Sequence, residues 1–288
     1  MESIGFIGVG SIGNPMAKCL AKAGYKLTIC DKSPQAREKF KEIAVGITDK
    51  PTDCSKSEMI IVMVATDSQV KEVMLGPNGV LNAVDPIQAP LLAIMSTILP
   101  QTTQEVALHC AKKNVRLVDA TVTGGPIVAE QGKLTIMVGG EKANFEAMRS
   151  IFEVMGENIY HTGALGSGNV TKLINNIIGV TNIFVTLEAM LLGKKCGMNP
   201  DKLASILKTG SGQNFFVRDW DKGRAFFDFF FGTLDSAKLA CDFARKDLGH
   251  AQELADQVHL VCPLLNRIVE ETKRFSPEEL MERWHSVI

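Results

Sequence analysis

The 288-residue sequence has few aromatic residues and lacks the patterns typical of metal-binding, disulfide-bonded and nucleic-acid-binding proteins. Aromatic residues make up only 6% of it, and its five histidines show no metal-ligand spacing. Its seven cysteines form no Cys-x-x-Cys pair, and such an odd, dispersed set indicates reduced thiols. No long basic run occurs, and 31 Lys and Arg nearly balance 32 Asp and Glu, which argues against general nucleic-acid binding. We therefore expect a cytoplasmic protein that holds no metal and binds no nucleic acid.

The sequence also predicts no targeting or membrane segment. The first residues, "MESIGFIGVGS", have no basic leader and enter an apolar run almost at once, unlike a signal or transit peptide. The most hydrophobic window, 173–193, is long enough to span a bilayer. It carries Asn175, Asn176, Asn182 and Glu188, however, which are costly in hydrocarbon. We predict that this helix is buried in a soluble protein and makes no membrane contact.

Short apolar runs alternate with helical patterns over the first 160 residues. Such alternation implies βαβ units and a mainly parallel sheet. Beyond Gly168 the strand signals fade and only helical patterns remain. The predicted strands are 4–10, 26–31, 58–65, 91–96, 115–121 and 134–140, and the later helices are about 169–195, 200–208, 234–258, 263–274 and 277–285. The sequence predicts an α/β domain over 1–164 and an all-helical domain over 165–288, joined by the long helix 169–195.

Three glycines, Gly8, Gly10 and Gly13, have G-x-G-x-x-G spacing between the first strand and the first helix. In this context the first permits a tight turn, the second lets the backbone approach a pyrophosphate, and the third allows close helix–sheet packing. Ser11 and Ile12 lie in the same turn, where a helix N-terminus offers N–H groups to phosphates. The pattern predicts a Rossmann-type dinucleotide-binding domain.

The residue after the second predicted strand bears on the choice of cofactor. Asp31 can accept hydrogen bonds from the adenine ribose hydroxyls, and its charge would repel a 2′-phosphate. This favours NAD over NADP. The neighbouring Lys32 could tolerate the phosphate, so NADP stays open.

Polar and small residues follow the next two strands. In an open α/β sheet the carboxyl ends of the strands form the ligand-binding edge, so Val64, Ala65 and Thr97 are candidate cofactor contacts. Thr97 has an equally good second interpretation, as the N-cap of the helix 101–113.

The stretch "DATVTGGP" (119–126) follows another strand. The Thr123 hydroxyl and the amides of Gly124 and Gly125 would form a small nest of donors, which suits a carboxylate. The alternative is a glycine-rich loop that serves geometry only.

The stretch "LGSGNVTKLINN" (165–176) places Lys172 and Asn176 four residues apart, on one face of the long helix, with Asn175 beside them. Gly166 and Gly168 would let another backbone or a ligand approach that face. Because the flanking residues are apolar on nearly every side, we expect a helix that is buried all round. A buried lysine is costly unless it is paired or functional, and burial lowers its pKa toward neutrality. The pattern favours a functional lysine over a solvated polar patch.

Two later segments have plainer interpretations. Lys246 and Asp247, in "FARKDLGHA" (243–251), would read as an ordinary surface pair if the segment stood alone. The phenylalanines of 215–231 indicate core or interface rather than cofactor stacking.

In combination these blocks resemble the 3-hydroxyisobutyrate dehydrogenase family of β-hydroxyacid dehydrogenases, which includes tartronate semialdehyde and glyoxylate/succinic semialdehyde reductases. The family's D-A-P-V-S-G-G motif appears as 119–125 with threonine at 121 and 123, and its G-x-G-x-x-x-K-x-x-N-N motif is matched in full by 166–176. Its K-D-L appears as 246–248. The resemblance runs from Gly8 to Lys246.

The resemblance implies a Rossmann domain followed by an all-helical domain, and a homodimer or homotetramer. It implies hydride transfer between NAD(P) and a small carboxylate-bearing hydroxy acid or semialdehyde. Lys172 would be the catalytic acid/base and Asn176 its partner. The substrate would contact Thr123, Gly124, Gly125, Asn175 and Asn176, and the cofactor would contact Thr97 and Lys246.

Several departures bear on substrate identity. Thr121 and Thr123 replace the usual proline and serine, Leu239 stands where many members have phenylalanine, and 215–231 matches no familiar substrate loop. Two other functions stay open. An imine reductase-like NADP enzyme would typically replace the catalytic lysine, and a non-enzymatic NAD-binding sensor or scaffold would have no use for Lys172 and Asn176.

Overall fold

The chain forms two compact units in the computed structural model, which describes residues 2–288. The first unit ends at Lys172, and the second runs from Leu173 to Ile288. A single helix, Ser167–Lys195, continues across this division. The domain limits expected from the sequence, 1–164 and 165–288, remain a prediction.

The first unit is organised around an eight-stranded sheet. Its strands are β1 (Ser3–Ile7), β2 (Lys26–Cys30), β3 (Gly46–Thr48), β4 (Met59–Val62), β5 (Leu91–Ile94), β6 (Arg116–Thr123), β7 (Leu134–Gly139) and β8 (Gly156–Gly163). Their order is β3-β2-β1-β4-β5-β6-β7-β8, and the pairs are parallel except for antiparallel β6 and β7. The predicted mainly parallel α/β fold is confirmed. Two strands were not predicted: β3, which is only three residues long, and β8, a polar strand at the sheet edge.

Helices connect these strands and cover both faces of the sheet. They are α1 (Gly13–Lys22), α2 (Pro34–Glu38), α3 (Asp67–Leu75), α4 (Val80–Ala83), α5 (Pro100–Ala111), α6 (Gly125–Glu130) and α7 (Lys142–Met155). Successive strand side chains point to opposite faces, so each strand contributes to two cores. Ile4 and Phe6 of β1 pack in a core with α1 and α7, whereas Ile7 packs in a second core with α3 and α5.

The second unit is entirely helical over the residues described. It comprises most of α8 (Ser167–Lys195), α9 (Pro200–Leu207), α10 (Phe215–Arg218), α11 (Trp220–Phe231), α12 (Leu234–Gln257), α13 (Pro263–Arg274) and α14 (Pro277–Val287). The predicted helical region is confirmed, and the phenylalanine-rich segment forms α10 and α11. Phe227 is fully buried and stacks on Trp284 with ring centroids 4.9 Å apart. Most of these phenylalanines therefore belong to the core, although Phe215 and Phe229 are exposed.

Helix α8 is less buried than its apolar sequence predicts. Only 28% of its most apolar window is buried, and its exposed apolar side chains are Ile174, Ile178, Val185 and Leu192. Within residues 2–288 it is also the one helix long and apolar enough to cross a membrane by length and composition, a test that core helices pass too. The expectation of a helix buried all round is wrong. The helices of its own unit cover one face of α8 and leave this apolar stripe accessible.

Candidate active site

The carboxyl ends of β1, β2, β4, β5 and β6 meet at one edge of the sheet, because these strands are mutually parallel. The chain order reverses between β1 and β4, which is the point at which open α/β sheets bind ligands. Gly8 follows β1, Asp31 follows β2, Val64 and Ala65 follow β4, Thr97 follows β5, and Thr123 ends β6. The fold thus gathers these six residues, proposed for the cofactor and the anion, at this edge.

Glycine is required or favoured at Gly8, Gly13 and Gly10 for three different geometric reasons. Gly8 has φ of +94°, and a Cβ there would collide with the Met63 carbonyl after β4. A Cβ on Gly13 would collide with the Gly8 carbonyl and lie 3.3 Å from Phe6, so α1 packs closely on β1. At Gly10, by contrast, a Cβ would meet nothing within 4 Å.

Ser11 and Ile12 complete the turn, and Ile12 is the N-cap of α1 without a side-chain cap hydrogen bond. The open space at Gly10 next to this helix N-terminus fits a pyrophosphate. These residues fit a bound dinucleotide.

Asp31, which follows β2, links two backbone segments by hydrogen bonds. Its carboxylate accepts from the amide of Val9 at 2.8 Å and from the amide of Ser33 at 2.8 Å. Lys32 is exposed, and Arg37 donates to the backbone carbonyls of Asp31 and Lys32. These two hydrogen bonds hold the Asp31 carboxylate at the place where the adenine ribose of a dinucleotide would lie.

The loops after β4 and β5 are linked to each other. The amide of Val64 donates to Ser96 Oγ at 2.9 Å, and the amide of Ala65 donates to Gln69 Oε1 at 2.8 Å. Helix α5 begins at Pro100 and has Leu99 as its N-cap, so the interpretation of Thr97 as that cap is wrong. Thr97 stays a predicted cofactor contact.

Thr123 ends β6 and is followed by two glycines in left-handed conformations. Gly124 has φ of +135° and Gly125 has φ of +76°, which turns the chain sharply into α6. A Cβ on Gly125 would meet nothing within 4 Å, so its backbone borders open space. Both this geometry and the predicted anion nest call for glycine here.

The first turn of α8 is bonded to β6 and its neighbours. Asp119 is fully buried, and its carboxylate accepts from the amides of Gly166 at 2.7 Å and Asn169 at 2.8 Å. The side chain of buried Asn169 accepts from the hydroxyl of Thr103 at 2.8 Å and donates to the Ser96 carbonyl at 3.5 Å. Burial raises the pKa of the Asp119 carboxyl above its ordinary value, and the amide hydrogen bonds counteract that rise.

Lys172 lies in the second turn of α8 and is half-buried. The prediction of a buried lysine is wrong, because α8 keeps one side accessible. Gly168 lets another backbone come close, since a Cβ there would lie about 2.5 Å from the Met137 carbonyl of β7.

In the second unit Asn176 belongs to a polar cluster with the K-D pair. Its amide nitrogen donates to Asp247 Oδ2 at 2.6 Å, and its oxygen accepts from Asn175 at 3.0 Å. Lys246 Nζ lies 2.9 Å from Asp247 Oδ1. Asp247 is buried and fixes the amide of Asn176, so the pair is not the ordinary surface pair that the segment alone would suggest.

Known proteins cover almost the whole chain. Residues 3–163 match a family described as the NAD binding domain of 6-phosphogluconate dehydrogenase, and residues 166–286 match one described as NAD-binding of NADP-dependent 3-hydroxyisobutyrate dehydrogenase. A 3-hydroxyisobutyrate dehydrogenase of Pseudomonas aeruginosa is 34% identical over 273 residues, which are 92% of this chain and 89% of that protein. The chain belongs to the 3-hydroxyisobutyrate dehydrogenase family.

Other members of the 3-hydroxyisobutyrate dehydrogenase family extend this match. The mitochondrial enzyme of Mus musculus is 39% identical over 211 residues, which are 73% of this chain but 62% of the relative's length. The solved Mycobacterium tuberculosis 3-hydroxyisobutyrate dehydrogenase with L-serine has a TM-score of 0.84 at 25% identity and covers 100% of this chain and 99% of that one. Solved imine reductases share the fold at 15% to 17% identity, a level that shows the fold alone.

Three polar residues of this family member were not predicted as site residues: Asp119, Asn169 and Asp247. Asp119 is the first residue of the D-A-x-V-x-G-G motif, and its alternation with Thr121 and Thr123 places all three on one face of β6. That period was readable from the sequence. The hydrogen-bond partners of Asp119, Asn169 and Asp247 were not, because those partners lie 47 to 73 residues away along the chain.

Proposed function

We propose that this chain is an NAD(P)-dependent oxidoreductase that transfers a hydride between the nicotinamide cofactor and a small hydroxy acid or semialdehyde. The observation that carries the proposal is the attachment of α8. Its first turn, one turn before Lys172, is bonded to β6 and Ser96 at the sheet edge that also carries the glycine fingerprint. This attachment supports a role for the Lys172 side chain at the dinucleotide-binding edge.

Oxidation of an alcohol to a carbonyl requires loss of a hydride from carbon and of a proton from the hydroxyl. When bound, the nicotinamide takes up the hydride in this direction and supplies it in the reverse one. Neutral Lys172 accepts the hydroxyl proton in oxidation, and its ammonium form returns a proton in reduction. Asn176, one turn along the same helix, hydrogen-bonds the substrate oxygen or the lysine, and Asp247 orients its amide.

The substrate class that fits is a hydroxy acid with its carboxylate two or three bonds from the reacting carbinol. Thr123, Gly124 and Gly125 would hold that carboxylate. Relatives named for 3-hydroxyisobutyrate, and one solved with L-serine, support this class.

A dehydrogenase assay over 3-hydroxyisobutyrate, L-serine and other small 2- and 3-hydroxy acids tests the class directly. Each acid is paired with its uncharged amide, and kcat/KM is measured for both cofactors. We expect the acid to exceed its amide by at least about tenfold, since a charge-assisted contact is worth about 1.5–3 kcal/mol. Equal turnover of acid and amide would contradict the anion site. No turnover of any acid, together with tight NAD binding, would favour the sensor function.

The cofactor in this proposal is NAD rather than NADP, with support from the charge of Asp31. Asp31→Asn keeps the side-chain shape but removes that charge, and we expect the ratio of kcat/KM for NAD to that for NADP to fall about tenfold. The ratio is the informative quantity, because loss of an amide hydrogen bond to Val9 or Ser33 affects both cofactors alike. A wild-type preference for NADP would contradict the proposal.

The proposed assembly is a homodimer or homotetramer in the cytoplasm. The exposed apolar stripe of α8 supports self-association, since such stripes mark interaction surfaces, and seven free thiols support a reducing compartment. Sedimentation equilibrium that finds a monomer at micromolar concentration would contradict the proposed homo-oligomer.

Recovery of the protein outside the cytoplasmic fraction would contradict the proposed location.

A further inference from the structure

One face of β6 is polar, and two side chains of this face form hydrogen bonds with the start of α8. Asp119 accepts from the amides of Gly166 and Asn169, and Thr121 Oγ1 donates to the Gly168 carbonyl at 2.8 Å. In α-helical geometry that carbonyl also accepts the backbone N–H of Lys172, four residues on. The third residue of this face is Thr123, the proposed carboxylate ligand. One strand therefore contacts the base of the lysine's turn and also carries the anion site.

Room for this contact depends on the absence of two side chains. A Cβ on Gly168 would lie 2.7 Å from Asp119 Oδ2, and a Cβ on Gly139 would collide with Asp119 Oδ1. Gly166, at the N-terminal end of α8, has no side-chain oxygen with which to cap the helix. Asp119 supplies that oxygen from a strand 47 residues earlier, with a charge that suits a helix N-terminus.

Capping a helix with a buried carboxylate is energetically unfavourable, because the charged group leaves water. Burial raises the pKa of Asp119, so its ionised form is less favourable here than in water, even with amide donors on both oxygens. A serine or threonine at the N-cap position would satisfy one amide without a buried charge. The presence of Asp119 at this position is therefore better explained by the geometry that it imposes on the start of α8 than by a gain in stability.

We infer that Asp119 and Thr121 are positioning residues that set Lys172 at a fixed distance from the anion site of Thr123. The inference rests on the proposed function of Lys172. Neither residue touches the reacting atoms; each acts through the first turn of α8. Proline, the residue that the family motif has at this position, could not make the Thr121 bond because it has no hydroxyl.

The test compares Thr121→Val, which removes the hydroxyl at nearly constant volume, with Thr121→Ser, which keeps it. Single-turnover NADH formation is measured with the best hydroxy acid of the substrate assay, so that product release does not mask the chemical step. We expect Thr121→Val to lower this rate roughly tenfold, because displacement of a reacting group by about 1 Å can cost as much as about 10²-fold. Thr121→Ser should stay within about twofold of wild type. Asp119→Asn should lower the rate by more than Thr121→Val does.

Two further readouts separate positioning from general damage. Amide hydrogen exchange in the peptide spanning 165–172 should rise in Thr121→Val but not in Thr121→Ser, while NAD affinity and thermal midpoint stay near wild type. In a Lys172→Ala background, Thr121→Val should cause no further loss of rate, since the group that it positions is gone.

The outcomes distinguish the inference from the function on which it rests. An equal loss from Thr121→Val in both backgrounds would show that Thr121 does not act through Lys172 and would overturn the inference. So would an unchanged rate in Thr121→Val when Lys172→Ala is inactive, a result that leaves the proposed function standing. Near-normal turnover of Lys172→Ala would instead overturn the proposed function itself.

Discussion

Lys172→Ala is expected to lower kcat by at least ~10²-fold in both reaction directions, because general acid–base catalysis contributes roughly 10²–10⁴-fold. NAD affinity should remain near wild type, since the Gly8–Gly13 turn follows β1, and β4 and β5 lie between β1 and β6 in the sheet. Steady-state kinetics with the best hydroxy acid, together with calorimetric titration of NAD, measure the two effects separately.

Two variants control this experiment. Lys172→Arg keeps the positive charge but should be nearly as inactive, since a guanidinium does not release its proton near neutral pH. Lys195→Ala removes an exposed lysine from the end of the same helix and should leave kcat unchanged. Activity of Lys172→Arg close to wild type would mean that the lysine contributes charge rather than proton transfer. Activity of Lys172→Ala close to wild type would return the sensor function to consideration.

Gly13→Ala and Gly10→Ala should separate folding from cofactor binding within one turn. A methyl group at Gly13 would overlap the Gly8 carbonyl, so we expect a loss of roughly 1–3 kcal/mol in the free energy of unfolding, as for other overpacked sites. At Gly10 the methyl group would have no protein atom within 4 Å, so the free energy of unfolding should be unchanged. It would occupy the space proposed for the pyrophosphate, and the dissociation constant for NAD should rise about tenfold or more.

Chemical denaturation and NAD titration of both variants provide the comparison. The decisive observation is the separation of effects: the Gly10 variant is stable but binds weakly, whereas the Gly13 variant is measurably less stable. If Gly10→Ala binds NAD as tightly as wild type, the pyrophosphate does not approach this glycine. If Gly13→Ala is as stable as wild type, α1 can shift away from β1 and the packing role is wrong.

The sequence by itself determined the features that depend on near neighbours in the chain. Alternation of apolar runs with helical patterns predicted the mainly parallel sheet, since strand and helix periods differ within a few residues. The spacing of Gly8, Gly10 and Gly13 predicted the turn between β1 and α1, because tight turns are set by single backbone conformations. Lys172 and Asn176 could be placed on one helix face for the same reason.

Only the tertiary structure decided how these pieces are held and covered. Asp119 meets Gly166 and Asn169 across 47 and 50 residues, and Asn176 meets Asp247 across 71, so no local pattern contains these pairs. The exposure of Ile174 and Ile178 was unpredictable for a related reason: an apolar residue is buried only if another element packs on it, and composition does not say which face is covered. Local spacing fixes conformation, whereas burial and long-range hydrogen bonds arise only when the distant segments fold together.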